Sequence, residues 1–266
     1  MDEEGAIGVF DSGVGGLTVL RQITLRVPGE STIYLGDTAR VPYGTKSPQT
    51  VIRYARTCAR LLTDRGIKML VVACNTASAF AVETLRKELP LPVLDVIGPG
   101  ARTAVRKTRT GRIGVIGTSG TVASRAYPDA IAQLAPDAQV FCKPCPLFVP
   151  LAEEGWTDGE VPRAVAHAYL DELLRENIDT LVLGCTHYPL LARVIAETAG
   201  NAIALVDSAE ATAEAVEETL GRLGLGGNGL NSPQRHFLVS DAPESFSRVG
   251  ARFFGSDLEH VEWVDC

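Results

Sequence analysis

Two cysteines, Cys74 and Cys185, have similar surroundings in the sequence, each at the end of an apolar stretch with high strand propensity. Cys74 ends the segment Val71-Val-Ala-Cys and is followed by Asn-Thr-Ala-Ser, while Cys185 ends Leu181-Val-Leu-Gly-Cys and is followed by Thr-His-Tyr-Pro. Small hydroxyl and amide residues favour the start of a helix. We therefore expect each thiol between a strand and a helix amino terminus, where backbone N–H groups favour both a thiolate and an anionic ligand.

A pair of thiols on opposite sides of one substrate could carry out proton transfer. A free thiol has a pKa of about 8.5, and placement at a helix end with polar neighbours is the usual way to raise its ionised share. One thiolate could remove a proton from an acidic carbon while the second thiol delivers a proton to the opposite face, which inverts the stereocentre. Asp11 is a candidate to orient or ionise Cys74, and Glu153 and His187 are candidates to assist Cys185.

Polar side chains beside these motifs are suited to bind the carboxylate and ammonium groups of a small substrate, together with backbone N–H groups. These candidates are Ser12, Asn75, Thr76, Thr118, Thr121 and Thr186. The glycine loop that follows Asp11 departs from the dinucleotide-binding pattern, because Thr18 stands where the third glycine belongs. We expect this loop instead to let a small ligand approach the backbone.

The elements that carry the two cysteines repeat along the chain. The strand-like segment Ala6–Phe10 leads into Asp-Ser-Gly, and Arg112–Gly117 leads into Thr-Ser-Gly. Each half then reaches its cysteine through a further strand, Ile67–Ala73 or Thr180–Gly184. This repetition predicts an α/β protein of two similar βα domains with parallel sheets in a pseudo-symmetric arrangement, and an active site in the cleft between them.

We expect one domain to contain residues 1–97 and a returning carboxyl-terminal segment of residues 208–266, and the other to contain residues 98–207. The segment Val93–Ile97 is predicted as a strand that leads into the crossing between the halves at Gly98-Pro-Gly100.

The bulk composition excludes several classes of protein. The 266 residues are 45% hydrophobic and 21% charged with a net charge of −7, and their basic residues do not cluster, which argues against nucleic-acid and anionic-membrane partners. The acidic start and the lack of a membrane-length apolar run predict a cytoplasmic protein whose six cysteines are reduced. Cys58 falls on the apolar face of a helix that begins at Pro48, so we expect it in the core.

Metal and cofactor chemistry are the alternatives to a pair of free thiols. Cys142 and Cys145 form a C-x-x-C pair that could join Cys185 and His187 in a zinc site, but two prolines make the segment Lys143–Pro150 typical of an irregular loop. A pyridoxal-dependent route needs a Schiff-base lysine, and none of the five lysines lies in a motif that indicates one. We therefore predict neither a metal nor a cofactor.

Five blocks of the sequence are typical of one family and occur in that family's order. They are Phe10-Asp-Ser-Gly-Val-Gly-Gly-Leu-Thr18, Gly36-Asp-Thr-Ala-Arg-Val-Pro-Tyr-Gly-Thr-Lys46, Ala73-Cys-Asn-Thr-Ala-Ser78, Pro146-Leu-Phe-Val-Pro-Leu-Ala-Glu-Glu-Gly155 and Leu183-Gly-Cys-Thr-His-Tyr-Pro-Leu190. The chain thus resembles the glutamate racemases of the aspartate/glutamate racemase family from about Ala6 to Val216, with a looser match in the tail.

The resemblance implies a cofactor-independent enzyme that interconverts L- and D-glutamate, whose D product feeds peptidoglycan synthesis. By position, it implies Cys74 and Cys185 as the two acid/base thiols, assisted by Asp11, Glu153 and His187. It also implies frequent homodimers. The positions that match the family's substrate contacts are Ser12, Pro42, Tyr43, Gly44, Asn75, Thr76, Thr186 and His187.

Two alternatives remain open at this point. The same fold and proton chemistry could act on another substrate, as in aspartate racemisation or a related decarboxylation. A two-domain protein could also bind a small anion without turnover and keep its cysteines for structure alone.

Overall fold

Two parallel sheets, each flanked by helices, form the chain in this computed structural model, which describes residues 5–227 and 232–266. The expected α/β class with two parallel-sheet domains is confirmed. Residues 1–4 and 228–231, which fall within the predicted first domain, lie outside the described residues. The predicted boundaries between residues 97 and 98 and between residues 207 and 208 stay predictions.

The strands are short, as expected for buried parallel strands. They are β1 (Ala6–Asp11), β2 (Thr32–Gly36), β3 (Ile67–Val72), β4 (Val93–Asp95), β5 (Arg112–Gly117), β6 (Gln139–Pro144), β7 (Thr180–Gly184), β8 (Ala204–Asp207), β9 (Arg235–Val239) and β10 (Val261–Trp263).

The helices cover the faces of both sheets. They are α1 (Leu17–Arg26), α2 (Pro48–Asp64), α3 (Asn75–Glu88), α4 (Ile97–Lys107), α5 (Ser119–Ser124), α6 (Ala126–Leu134), α7 (Phe148–Glu154), α8 (Glu160–Leu174), α9 (Ala192–Ala199), α10 (Ser208–Leu223) and α11 (Pro243–Phe254). Short 3₁₀ helices cover Thr38–Arg40, Tyr43–Thr45 and Tyr188–Leu191. Across the described part of the chain, none of these helices is long and apolar enough to cross a bilayer.

The strand order explains how the two halves come to resemble one another. The first sheet has the order β10-β9-β2-β1-β3-β4, and the second has the order β6-β5-β7-β8. Without β9 and β10, the first sheet therefore repeats the order of the second. The chain direction across each sheet reverses beside β1 and β5, and ligands of open parallel sheets bind at the carboxyl ends of strands at such a point.

Helix α2 begins where its sequence predicts. It begins at Pro48 after the cap Ser47, whose side chain accepts a hydrogen bond from the Thr50 N–H. Cys58 is fully buried on the inner face of this helix, so its predicted place in the core is confirmed.

The segment after β4 differs from the expectation. The strand ends at Asp95 rather than Ile97, and α4 runs through Gly98-Pro-Gly100. The proline is tolerated because it is the third helical residue, whose N–H has no partner within a helix. The Asp95 carboxylate accepts a hydrogen bond from the Gly98 N–H at 2.6 Å and stabilises this helix start.

The segment Lys143–Pro150 is also more regular than expected. Strand β6 continues to Pro144, and α7 begins at Phe148. Because β6 is an edge strand of its sheet, a proline there removes no hydrogen bond from the ladder. The prediction of an irregular loop over this segment is wrong.

Asp179 ties the loop before β5 to the start of β7. Its carboxylate accepts hydrogen bonds from the Thr108 hydroxyl at 2.6 Å and from the backbone N–H groups of Arg109 and Thr110 at 2.7 Å each. We expect Asp179→Ala to lower the free energy of unfolding by about 3 kcal/mol, because three donors of the loop lose a charged acceptor. Urea unfolding measures the change. Asp171→Ala, at an exposed position of α8, is the control, and an equal loss in both variants would contradict the role of Asp179.

Candidate active site

Both motif cysteines line one cavity between the two sheets. Cys74 follows β3 and Cys185 follows β7, so the parallel strands deliver both thiols at their carboxyl ends. The cavity is small and partly open, and its empty volume of about 360 Å³ includes the solvent at its mouth. Its lining residues are Ser12, Val41, Pro42, Tyr43, Gly44, Cys74, Asn75, Thr76, Thr118, Val149, Cys185, Thr186 and His187.

Cys74 caps helix α3 with its own side chain. Its Sγ accepts a hydrogen bond from the Ala77 N–H at 3.5 Å and lies 3.6 Å from the Ser12 hydroxyl oxygen. The side chain is almost fully buried, with 6% of the residue exposed. The predicted placement of the thiol at a helix amino terminus therefore holds in the structure.

The ionisation of Cys74 differs from the expectation. Burial raises the pKa of its thiol to about 12, and the nearby Asp11 and Cys185 act in the same direction, while the hydrogen bonds with Ala77 and Ser12 lower it only in part. Burial thus outweighs the helix end. The expectation that helix-end placement brings this thiol toward thiolate is wrong for Cys74 in the free protein.

Cys185 has a different partner. Its Sγ lies 3.9 Å from His187 Nδ1, and His187 Nε2 lies 2.9 Å from a Glu153 carboxylate oxygen. The imidazole is 5% exposed, and the Phe253 ring packs edge-on against it at 5.2 Å between centroids. Thiol, imidazole and carboxylate thus form a line from the cavity to the surface, although Glu153 itself does not line the cavity.

The charge of His187 is set by its hydrogen bonds. Burial lowers the pKa of His187, but the hydrogen bonds with Cys185 and Glu153 outweigh burial and raise the pKa to about 10. His187 therefore carries a positive charge at neutral pH. This places a positive charge beside the Cys185 sulfur, which lies 3.9 Å from His187 Nδ1.

Asp11 lies behind the cavity rather than in its wall. It is fully buried, its Oδ1 accepts a hydrogen bond from the Gly13 N–H at 2.9 Å, and its Oδ2 accepts one from the Thr186 hydroxyl at 3.4 Å. Burial raises its pKa, and the charge of His187 opposes this rise. As placed here, Asp11 supports residues of both domains and has no direct access to a ligand in the cavity.

Three threonines join across the cleft. The Thr76 hydroxyl lies 2.9 Å from that of Thr118 and 3.2 Å from that of Thr121, and the latter two are 3.0 Å apart. Thr76 and Thr118 line the cavity, whereas Thr121 is buried behind them. The structure thus brings these predicted residues together but separates Thr121 from the cavity wall.

Asn75 lines the cavity and has an unused hydrogen-bond donor. Its Oδ1 accepts a hydrogen bond from the Tyr127 hydroxyl at 2.8 Å, while its Nδ2 is buried and has no hydrogen-bond partner within the described residues. A buried donor of this kind is costly unless a ligand pairs with it. The site therefore fits an anionic group at Asn75.

The glycines of the site allow two segments of the protein to approach each other closely. A side chain at Gly15 would lie 2.3 Å from the Thr186 hydroxyl and 2.4 Å from His187 Nδ1, and one at Gly44 would lie 2.7 Å from Thr118 Cβ. Gly15 is thus approached by the second domain, not by a ligand as we expected. Only glycine leaves room for these contacts.

Neither arginine nor lysine lines the cavity within the described residues. Backbone N–H groups at the start of α3, hydroxyls and the Asn75 amide are the donors available for anions, since α3 begins at Asn75. Groups of three or more His, Cys, Asp or Glu side chains with metal-site geometry do not occur over residues 5–227 and 232–266. The thiol Cys145 faces the Lys143 carbonyl at 3.6 Å instead.

Two aromatic residues that contact site residues were not predicted from the sequence. Tyr127 and Phe253 come from helices that carry none of the five motifs, yet they contact Asn75 and His187. Their single aromatic positions carry no local signal of these contacts. Val41 and Val149 lie inside the motifs and add apolar walls to the cavity.

Comparisons with known proteins agree on one family. The family model described as Asp/Glu/Hydantoin racemase matches residues 7–216. The chain is 58% identical over 263 residues to a protein named glutamate racemase from Geobacter metallireducens, covering 97% of this chain and 96% of that protein.

Solved structures give the same answer. A glutamate racemase isoform from Bacillus anthracis is similar at a TM-score of 0.95 and 39% identity, covering 99% of this chain and 98% of that chain. The glutamate racemase from Francisella tularensis in complex with D-glutamate is similar at a TM-score of 0.93 and 36% identity, covering 98% of each chain. The resemblance carried by the five sequence blocks is confirmed, and the chain belongs to the Asp/Glu/hydantoin racemase family.

Proposed function

We propose that this chain is a glutamate racemase that uses Cys74 and Cys185 as its two acid/base groups and needs no cofactor. The observation that carries the proposal is that thiols that follow strands of two separate sheets line one cavity. The names of the similar proteins supply the substrate, glutamate.

Binding of glutamate uses donors rather than side-chain cations. The Asn75 Nδ2 group and the backbone N–H groups at the start of α3 donate hydrogen bonds to one carboxylate, and the hydroxyls of Ser12, Thr76 and Thr186 supply further hydrogen bonds. The loop of Pro42, Tyr43 and Gly44 closes one side of the cavity.

Proton transfer follows from the different surroundings of the two thiols. Acting as a thiolate beside the charged His187, Cys185 takes the α-proton of one enantiomer, and the electron pair of the broken C–H bond stays on the substrate. The neutral Cys74 thiol then donates its proton to the opposite face, which forms the new C–H bond. The other enantiomer reacts by the reverse transfer, once Cys74 has become the thiolate.

The wider role follows from the same proposal. A glutamate racemase supplies D-glutamate, and we propose that this chain does so for peptidoglycan synthesis, in the cytoplasm and as a homodimer. Size-exclusion chromatography with light scattering tests the dimer.

Exchange in heavy water tests the reaction. Incubation with L-glutamate and no added cofactor should replace the α-proton by deuterium, observed as loss of the α-proton signal in NMR, and should bring the optical rotation to zero. L-Aspartate in a parallel reaction is expected to exchange far more slowly. A stable rotation together with an unchanged α-proton signal from L-glutamate would exclude the proposed activity.

A further inference from the structure

Tyr127 connects the second domain to the amide that faces the cleft. It is the second residue of α6, is 1% exposed, and donates a hydrogen bond from its hydroxyl to Asn75 Oδ1 at 2.8 Å. Asn75 belongs to α3, which follows the first sheet. The contact therefore crosses between the two halves of the molecule, directly behind the cavity wall.

The hydroxyl decides which end of the Asn75 amide faces a ligand. Burial raises the pKa of Tyr127 well above its ordinary range, so the hydroxyl keeps its proton and acts as a donor. The donor holds Oδ1 behind the wall, and Nδ2 is left without a protein partner in the described structure. An amide held this way presents a donor, whereas a rotated amide would present an acceptor to the carboxylate.

The Tyr127 hydroxyl lies beside α4 and α10, the helices through which the chain passes from one sheet to the other. Ser208, at the start of α10, lies close to it. A side chain at Gly100 of α4 would lie 3.2 Å from the Tyr127 hydroxyl oxygen and 3.5 Å from Ser208 Cβ. Tyr127 thus lies beside α4 and α10 and also contacts Asn75.

We propose that Tyr127 is a positioning residue for substrate binding, because its hydroxyl holds the Asn75 amide with Nδ2 toward the cleft. The inference rests on the proposed function, since it takes the anion at Asn75 to be a substrate carboxylate. It assigns Tyr127 no contact with the substrate and no part in proton transfer.

Tyr127→Phe tests the inference because it removes the hydroxyl and keeps the ring. We expect KM for L-glutamate to rise roughly 10-fold, as for the loss of a hydrogen bond to a charged group, with kcat changed less than about 3-fold. Tyr169→Phe is the matched control: its hydroxyl accepts a hydrogen bond from the Leu147 N–H, away from the cavity, and KM should stay unchanged.

A double-mutant cycle separates positioning from general loss of structure. Asn75→Ala raises KM by itself, and adding Tyr127→Phe should change KM no further, because the amide that it orients is gone. Effects that multiply in the double variant would overturn the inference. So would an unchanged KM in Tyr127→Phe.

A second variant covers the case in which Tyr127→Phe does not fold. Gly100→Ala places a methyl group against the hydroxyl and should raise KM a few-fold, and an unchanged KM there would equally overturn the inference. Failure of the proposed function is distinguishable, since the unaltered chain would then not racemise glutamate at all. An active unaltered chain with unaffected variants removes only the role of Tyr127.

Discussion

Cys74→Ser and Cys185→Ser are each expected to lower the rate of glutamate racemisation on the order of 1,000-fold, the effect of removing one general acid/base group. A serine hydroxyl is a far weaker acid than a thiol, so it neither removes the α-proton nor returns one efficiently. The rate is measured from optical rotation. Cys142→Ser is the control, because this thiol is half-buried in β6 and does not line the cavity.

The two variants should differ when a reaction needs only one base. In a β-chloro amino acid, removal of the α-proton expels chloride, so no proton has to return to the carbon. Cys74→Ser keeps the thiol next to His187 and Cys185→Ser keeps the thiol next to Ser12, so we expect them to accept opposite enantiomers. Equal preference of both variants for the same enantiomer would contradict thiols on opposite faces of the substrate.

The sequence predicted the site residues that directly follow strands. It did not predict residues that contact the site from other helices. Cys74 and Cys185 could be placed because strand propensity and helix-capping residues are local properties that both motifs show. Tyr127 could not be found in this way. Its role depends on α6 lying behind the first-domain helix α3, which is a property of how the two halves pack.

Ionisation was the least predictable feature of the site. Helix-end placement argued for a thiolate at Cys74, yet its burial is a tertiary property and reverses the effect. The glycine loop gave a similar lesson, since Gly15 is approached by Thr186 and His187 of the other half. Local patterns thus predicted where the groups lie, and packing decided their charge and neighbours.

Removing the carboxylate beyond His187 should change the pH dependence of the reaction. The pKa of His187 is raised from an ordinary 6.5 to about 10, so the imidazole stays charged through neutral pH and loses its charge as the pH rises through about 10. Glu153 supplies one of the two hydrogen bonds that raise this pKa. In Glu153→Gln we therefore expect the alkaline loss of kcat/KM at lower pH, by on the order of one unit.

Glu154→Gln is the matched control, since it changes the adjacent, exposed carboxylate of the same helix. Titration of the substrate ammonium affects all three proteins equally, so the difference between the variants reports the protein alone. NMR of labelled histidine gives the pKa of His187 directly, because the chain has only four histidines. If Glu153→Gln keeps both the pH profile and the His187 titration of the unaltered chain, then Glu153 does not hold the charge of His187.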